Sequence, residues 1–104
     1  MITLTMLWQV EPAYADDFLD LIADFTAACR AEPGCLVFEW TRCSDRPTSH
    51  TITETYRGLG ALAHHAGYGH AARAIRLQSR YCTRFPRLQS VTWSRGPAEL
   101  PAAT

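Results

Sequence analysis

The sequence predicts an α+β domain of the ferredoxin-like, split βαβ kind: a four-stranded antiparallel sheet with helices on one face. Three observations carry this. Residues 2–10 alternate apolar and polar side chains, the stretch from Glu32 to Tyr56 reads as a β-hairpin, and helix-period segments follow the first strand and the hairpin. The resulting order is β-α-β-β-α-α-β. At 104 residues the chain has material for one hydrophobic core and not for two.

In the first strand Ile2, Leu4, Met6, Trp8 and Val10 share one face, against Thr3, Thr5, Leu7 and Gln9 on the other. Glu11-Pro12 ends it, and proline suits the first position of a helix. From Ala13 to Arg30 a helix is predicted, with Phe18, Leu21, Ile22, Phe25 and Cys29 as one apolar stripe and Asp16, Asp17, Asp20 and Asp24 toward solvent. Glu32-Pro33-Gly34 stops that helix and begins the hairpin. In its outgoing arm Leu36, Phe38, Trp40 and Arg42 oppose Cys35, Val37, Glu39 and Thr41; after a turn at Ser44-Asp45-Arg46-Pro47, His50, Ile52, Glu54 and Tyr56 oppose Thr51, Thr53 and Thr55. A face that mixes large apolar groups with a carboxylate and an imidazole suits a pocket wall better than a dry core. Gly58 to Gly67 suggests a short helix, and Tyr68 to about Phe85 a longer one with Ala71, Ile75, Gln78 and Cys82 aligned, ended by Pro86. Leu88 to Arg95 is the fourth strand, with Val91 and Trp93 on one face. A single domain over residues 1–96 is expected, followed by a flexible tail over 97–104.

Composition narrows the function. Hydrophobic residues make up 47% and charged residues 19%, which is ordinary for a soluble domain. There is no apolar run of membrane-spanning length and no basic start of a signal peptide, so a cytoplasmic protein with no membrane partner is expected. The four cysteines (Cys29, Cys35, Cys43 and Cys82) form no Cys-x-x-Cys pair and read as buried hydrophobes or free thiols rather than as a metal site. The zero net charge argues against nucleic acid but hides an asymmetry: residues 1–56 carry nine acids and three arginines, residues 57–104 seven arginines and one glutamate. Arg73, Arg76, Arg80, Arg84 and Arg87 are spaced to draw one stripe along the last helix. It reads as a solvated face or a complement to the aspartate-rich first helix, with an anionic ligand or partner as the alternative.

Glu54 projects with Ile52 and Tyr56 among apolar neighbours, where a carboxyl is held toward its neutral form and can serve as a base; an ion pair with an arginine is the plainer reading. His65 and His70 sit near a helix–helix junction, and imidazole titrates near neutrality. A spacing of five does not put both on one helical face, so no two-histidine metal site is expected. His64 reads as a solvated neighbour. Trp8, Phe38, Trp40 and Tyr68 line either an aromatic pocket or plain core.

Order and motifs together resemble the antibiotic biosynthesis monooxygenase family of dimeric α+β-barrel proteins. The matching residues are Glu32-Pro33-Gly34-Cys35 before the Phe38-bearing strand, Glu54-x-Tyr56 closing the third strand, and Ala61-Leu62-Ala63-His64-His65 with His70 beyond it. The resemblance spans about residues 2–95. It implies a homodimer and, often, cofactor-free oxygenation of phenols or aromatic polyketides. Two departures stand out: Tyr56 replaces the family's usual tryptophan, and the chain has no asparagine, whereas the haem-degrading and anthrone-oxidising branches rely on one in the first strand; haem degradation is therefore not expected, and the oxygenase chemistry is left open.

The expected function is therefore a cofactor-independent monooxygenase acting on an aromatic polyketide, anthrone or quinol-type substrate. Triplet dioxygen reacts slowly with closed-shell organics, but a deprotonated phenol or anthrone can pass it an electron. The protein must supply a base, donors for the enolate oxygen and an apolar cavity. Glu54, His65 or His70 is the base; Tyr56, Trp40 or Tyr68 donates and stacks; Trp8, Phe38 and Arg73 complete the substrate contacts. A cyclase or isomerase, and a small-molecule-binding protein of the same fold, are the alternatives.

Overall fold

The computed structural model describes residues 1–67 and 69–95. Strand β1 (Ile2–Gln9) leads through a 3₁₀ turn (Pro12–Tyr14) to the short helices α1 (Phe18–Leu21) and α2 (Ala23–Arg30). The hairpin follows as β2 (Cys35–Arg42) and β3 (Ser49–Tyr56), then α3 (Leu59–Gly67), α4 (His70–Tyr81) and β4 (Arg87–Trp93). The four strands form one antiparallel sheet in the order β2-β3-β1-β4. This is the split βαβ arrangement the sequence predicts.

Register explains which residues meet. Across β1 and β3, Leu4 pairs with Glu54, Met6 with Ile52 and Trp8 with His50; across β2 and β3, Phe38 pairs with Glu54 and Trp40 with Ile52. The mixed apolar and titratable face lies under the helices, where Trp8, Val10, Phe18, Ile22, Phe25, Cys29, Phe38, Ile52 and Tyr81 form the buried core. The opposite face carries Thr3, Thr5, Thr51, Thr53 and Thr55, with a Thr3–Thr55 hydroxyl contact of 2.9 Å.

Five expectations need correction. The helix predicted over Ala13–Arg30 is interrupted at Ile22 (φ −108°, ψ 14°), so the angular count that placed Leu21 in the stripe does not continue across the break. Leu21 is exposed while Ile22 is buried. In β2, a bulge between Cys35 and Val37 turns Cys35 toward the core and leaves Leu36 exposed, reversing their expected faces. The last helix stops at Tyr81, short of Phe85. Cys82 is extended and bridges to Val10 rather than lining the helix. The arginine stripe therefore breaks up: Arg73, Arg76 and Arg80 lie on α4, Arg84 lies beyond it, and Arg87 opens β4. The expected tail over 97–104, and Tyr68, lie outside the described residues.

Two glycines have structural work. A Cβ on Gly34 would come within 2.2 Å of the Ala61 Cβ, so only glycine lets α3 settle onto the start of β2. Gly69, at φ 84°, stands just before α4 and lets the chain take a left-handed turn there. All four cysteines are free thiols. Among the described residues no helix is long and apolar enough to cross a membrane.

Candidate functional site

A cavity of about 250 Å³ lies between the sheet and the helices α3 and α4. Its floor is Leu4, Met6, Trp8, Phe38, Trp40, Ile52 and Glu54, and its roof includes Leu62, His65, Ala71, Ala74, Ile75 and Gln78. Ala71, Ile75 and Gln78, aligned in the sequence by helical spacing, face this space.

Among the described residues Glu54 is the only carboxylate of that lining, and it is 7% exposed. Burial pushes its pKa up; the Tyr56 hydrogen bond and the His65 imidazole pull it back, and Glu32 adds to the rise. Tyr56, fully buried, donates its hydroxyl to Glu54 Oε1 at 2.6 Å. The same burial and the same carboxylate push the Tyr56 phenol far above its ordinary range, so it stays a donor. His65 Nε2 stands 3.7 Å from Glu54 Oε1.

Behind His65 lies a group that sequence reasoning gave no role at the site. The Glu32 carboxylate is buried, with one oxygen 2.7 Å from His65 Nδ1 and the other against His70 Nδ1. An ionised carboxylate only accepts, so each ring carries its proton on Nδ1. Glu32 is aimed inward by the tight turn after α2, where its N–H donates to Cys29 O at 3.3 Å and its carbonyl accepts from Cys35 N–H at 3.0 Å. Its one sequence signal was its place at the head of Glu-Pro-Gly-Cys. The five-residue spacing of the histidines misled for a simple reason: they stand on two helices, so a single-helix wheel does not apply, and the junction brings them to one carboxylate.

The remaining predicted residues divide. Trp8, Phe38 and Trp40 line the cavity, with Trp8 and Trp40 edge to face at 5.1 Å. Trp40 Nε1 donates to Thr26 Oγ1 at 3.1 Å, whereas the buried Trp8 Nε1 has no partner among the described residues. His70 joins the site through Glu32 and does not line the cavity. His64, next to His65 on α3, is exposed. Arg73 packs its guanidinium 5.8 Å from the Phe25 ring centroid and is not among the residues lining the cavity.

The comparisons with known proteins agree with this architecture. Residues 1–77 match the family model described as antibiotic biosynthesis monooxygenase. A candidate antibiotic biosynthesis monooxygenase from Caulobacter crescentus CB15 superposes with a TM-score of 0.79 at 26% identity, covering 91% of this chain and 90% of that one. A candidate enzyme of the same description from Deinococcus radiodurans gives 0.79 at 20% identity, covering 92% and 94%; one from Nitrosomonas europaea gives 0.78 at 16%, covering 90% and 98%. No curated protein matches the chain. With the matched segment spanning well over half of its length, the chain belongs to the antibiotic biosynthesis monooxygenase family.

Proposed function

We propose that the protein is a homodimeric monooxygenase that oxidises a small aromatic substrate of the phenol, anthrone or quinol type. In this reaction the substrate itself, not a cofactor, hands the electron to oxygen. The observation that carries this reading is Glu54: a buried carboxylate with a raised pKa, held by Tyr56 and opening onto an aromatic cavity. Trp8 supports it from the other end. Glu54 and Trp8 stand on adjacent strands four register positions apart, about 13 Å of backbone, with Met6 and Ile52 between them. Anthrones have that polarity: the acidic proton leaves the methylene carbon and the charge collects on the oxygen across the ring, whereas a quinol loses the proton from an oxygen and delocalises the charge toward the opposite pole. The Trp8 indole N–H, buried and without a partner among the described residues, is the donor this reading assigns to that oxygen once a ring shift exposes it.

Glu54 takes the proton, and the anion passes one electron to dioxygen. The radical pair collapses to a carbon–oxygen bond, and the peroxide recovers a proton from Glu54. Loss of water leaves the ketone, so one CH₂ and one O₂ give one C=O and one H₂O. The apolar walls keep bulk water from the anion. At about 250 Å³, just below the usual range of ligand pockets, the cavity favours compact ring systems over extended polyketides.

The dimer reading rests on β4. Leu88, Val91 and Trp93, with Phe85 just before them, are all more than half exposed, and among the described residues no helix covers the threonine-rich sheet face. Sedimentation is expected to give about twice 11.6 kDa; a monomer at micromolar concentration overturns the dimer. The chemistry is tested by oxygen uptake with a panel of anthrones and quinols, with no flavin added. One O₂ consumed per ketone formed is the expected result. Product without uptake would instead make it a cyclase or isomerase, and binding without turnover a binding protein.

A further inference from the structure

Cys29 stands at the closed end of the same region and has no role in the proposed chemistry. Its side chain is fully buried at the end of α2. Burial and the Glu32 and Glu54 carboxylates push the thiol up to about 12, so it is no nucleophile. Yet one ligand atom from each of Cys29, His65 and His70 lies within 4.8 Å of the other two. A tetrahedral N₂S site has ligand–ligand edges of roughly 3.3–3.8 Å, so about 1 Å of side-chain closure completes the triangle.

We infer that Cys29, His65 and His70 form a binding site for a divalent transition metal of zinc type, with Glu32 as the outer carboxylate that orients both imidazoles. The Glu32 contacts are the independent observation. Histidines that hold metal characteristically give their second ring N–H to a carboxylate, which fixes the tautomer and the ring. Here one buried carboxylate contacts both rings through Nδ1, and in the metal-bound form this inference assigns coordination to the Nε2 atoms. Three protein ligands of this kind suit zinc or cobalt and leave a fourth position open. On coordination the S–H bond is replaced by a sulfur–metal bond and its proton goes to solvent. Two positive charges then face the thiolate and the Glu32 carboxylate, with the Glu54 carboxyl 3.7 Å from His65 Nε2 as a further oxygen beside the ion. His65 also lines the cavity, so an ion held there borders the space where a substrate would sit.

The site is read without substrate or oxygen, so it stands or falls separately from the oxygenase reading. Metal-stripped protein is titrated with Co²⁺ under reducing, anaerobic conditions and then with Zn²⁺ as competitor. One Co²⁺ per chain is expected, with the absorption of a four-coordinate ion, a thiolate-to-cobalt charge-transfer band, and displacement by Zn²⁺ but not by Mg²⁺. Cys29→Ser should abolish the charge-transfer band, and Glu32→Gln should weaken binding about 10–100-fold. Cys82→Ser and His64→Ala should leave both unchanged. The parent protein alone can sink the proposal, whatever the variants do to folding. Failure to bind Co²⁺, or binding without the thiolate band, overturns it, as does a band that survives Cys29→Ser or vanishes in Cys82→Ser.

Discussion

The two ends of β3 bury a titratable side chain on the same face of the same strand and use it in opposite ways. At one end His50 is 1% exposed, its ring 4.9 Å from Phe18, and neither ring nitrogen has a hydrogen-bond partner among the described residues. At the other, Glu54 accepts from Tyr56, faces His65 and opens onto the cavity. One group is sealed into packing and the other is connected. Alternation put both on the helix-covered face, but only the local partners separate a packed imidazole from a candidate base.

The largest effect should come from breaking the connected end. Glu54→Gln keeps the shape and removes the base, and loss of a general base costs on the order of 10²–10⁴ in rate. His50→Leu, outside the cavity lining, should leave kcat within about threefold, since it removes no group that reaches substrate. Steady-state oxygen uptake on both variants checks the contrast, and equal losses would mean that the two ends are not functionally distinct. Tyr56→Phe is the finer probe. The hydroxyl lowers the Glu54 pKa, so its removal raises it and moves the acid limb of the rate profile to higher pH. A rate loss with an unmoved limb would assign Tyr56 to packing alone.

Much of this contrast was legible beforehand and some was not, for identifiable reasons. The period-2 pattern of β3 set the faces, and Pro12, Pro47 and Pro86 marked real breaks, because those signals are local. Errors arose where a count met an irregularity: Leu21 just before the kink at Ile22, Leu36 inside the β2 bulge, Arg84 and Arg87 past the end of α4. The Glu32 cluster was hidden for a related reason. It joins α2, α3 and α4, and no periodicity within one element reports a contact among three.

The smallest expected effect is on stability, and the two ends should act on it with opposite sign. Burial holds the His50 imidazole below its ordinary 6.5, with the Ala15 backbone pulling the other way. Below about pH 6.5 the unfolded chain therefore binds a proton that the folded chain refuses, and stability falls as pH falls toward the folded value. Glu54 is held above its ordinary 4.5, so its contribution is complete below that value and is lost as pH rises through the folded pKa. His50→Leu, relieved of a desolvated buried imidazole, should be more stable than the parent by on the order of 1 kcal/mol at neutral pH. That advantage should widen between about pH 7 and pH 5, whereas the advantage of Glu54→Gln over the parent should shrink over the same interval as the parent carboxylate takes up its proton. Urea unfolding of the three proteins at both pH values measures this. If His50→Leu and the parent differ by the same amount at each pH, His50 titrates alike in both states. The sealed end would then be open to solvent, and the contrast between the two ends would fail on its packing side.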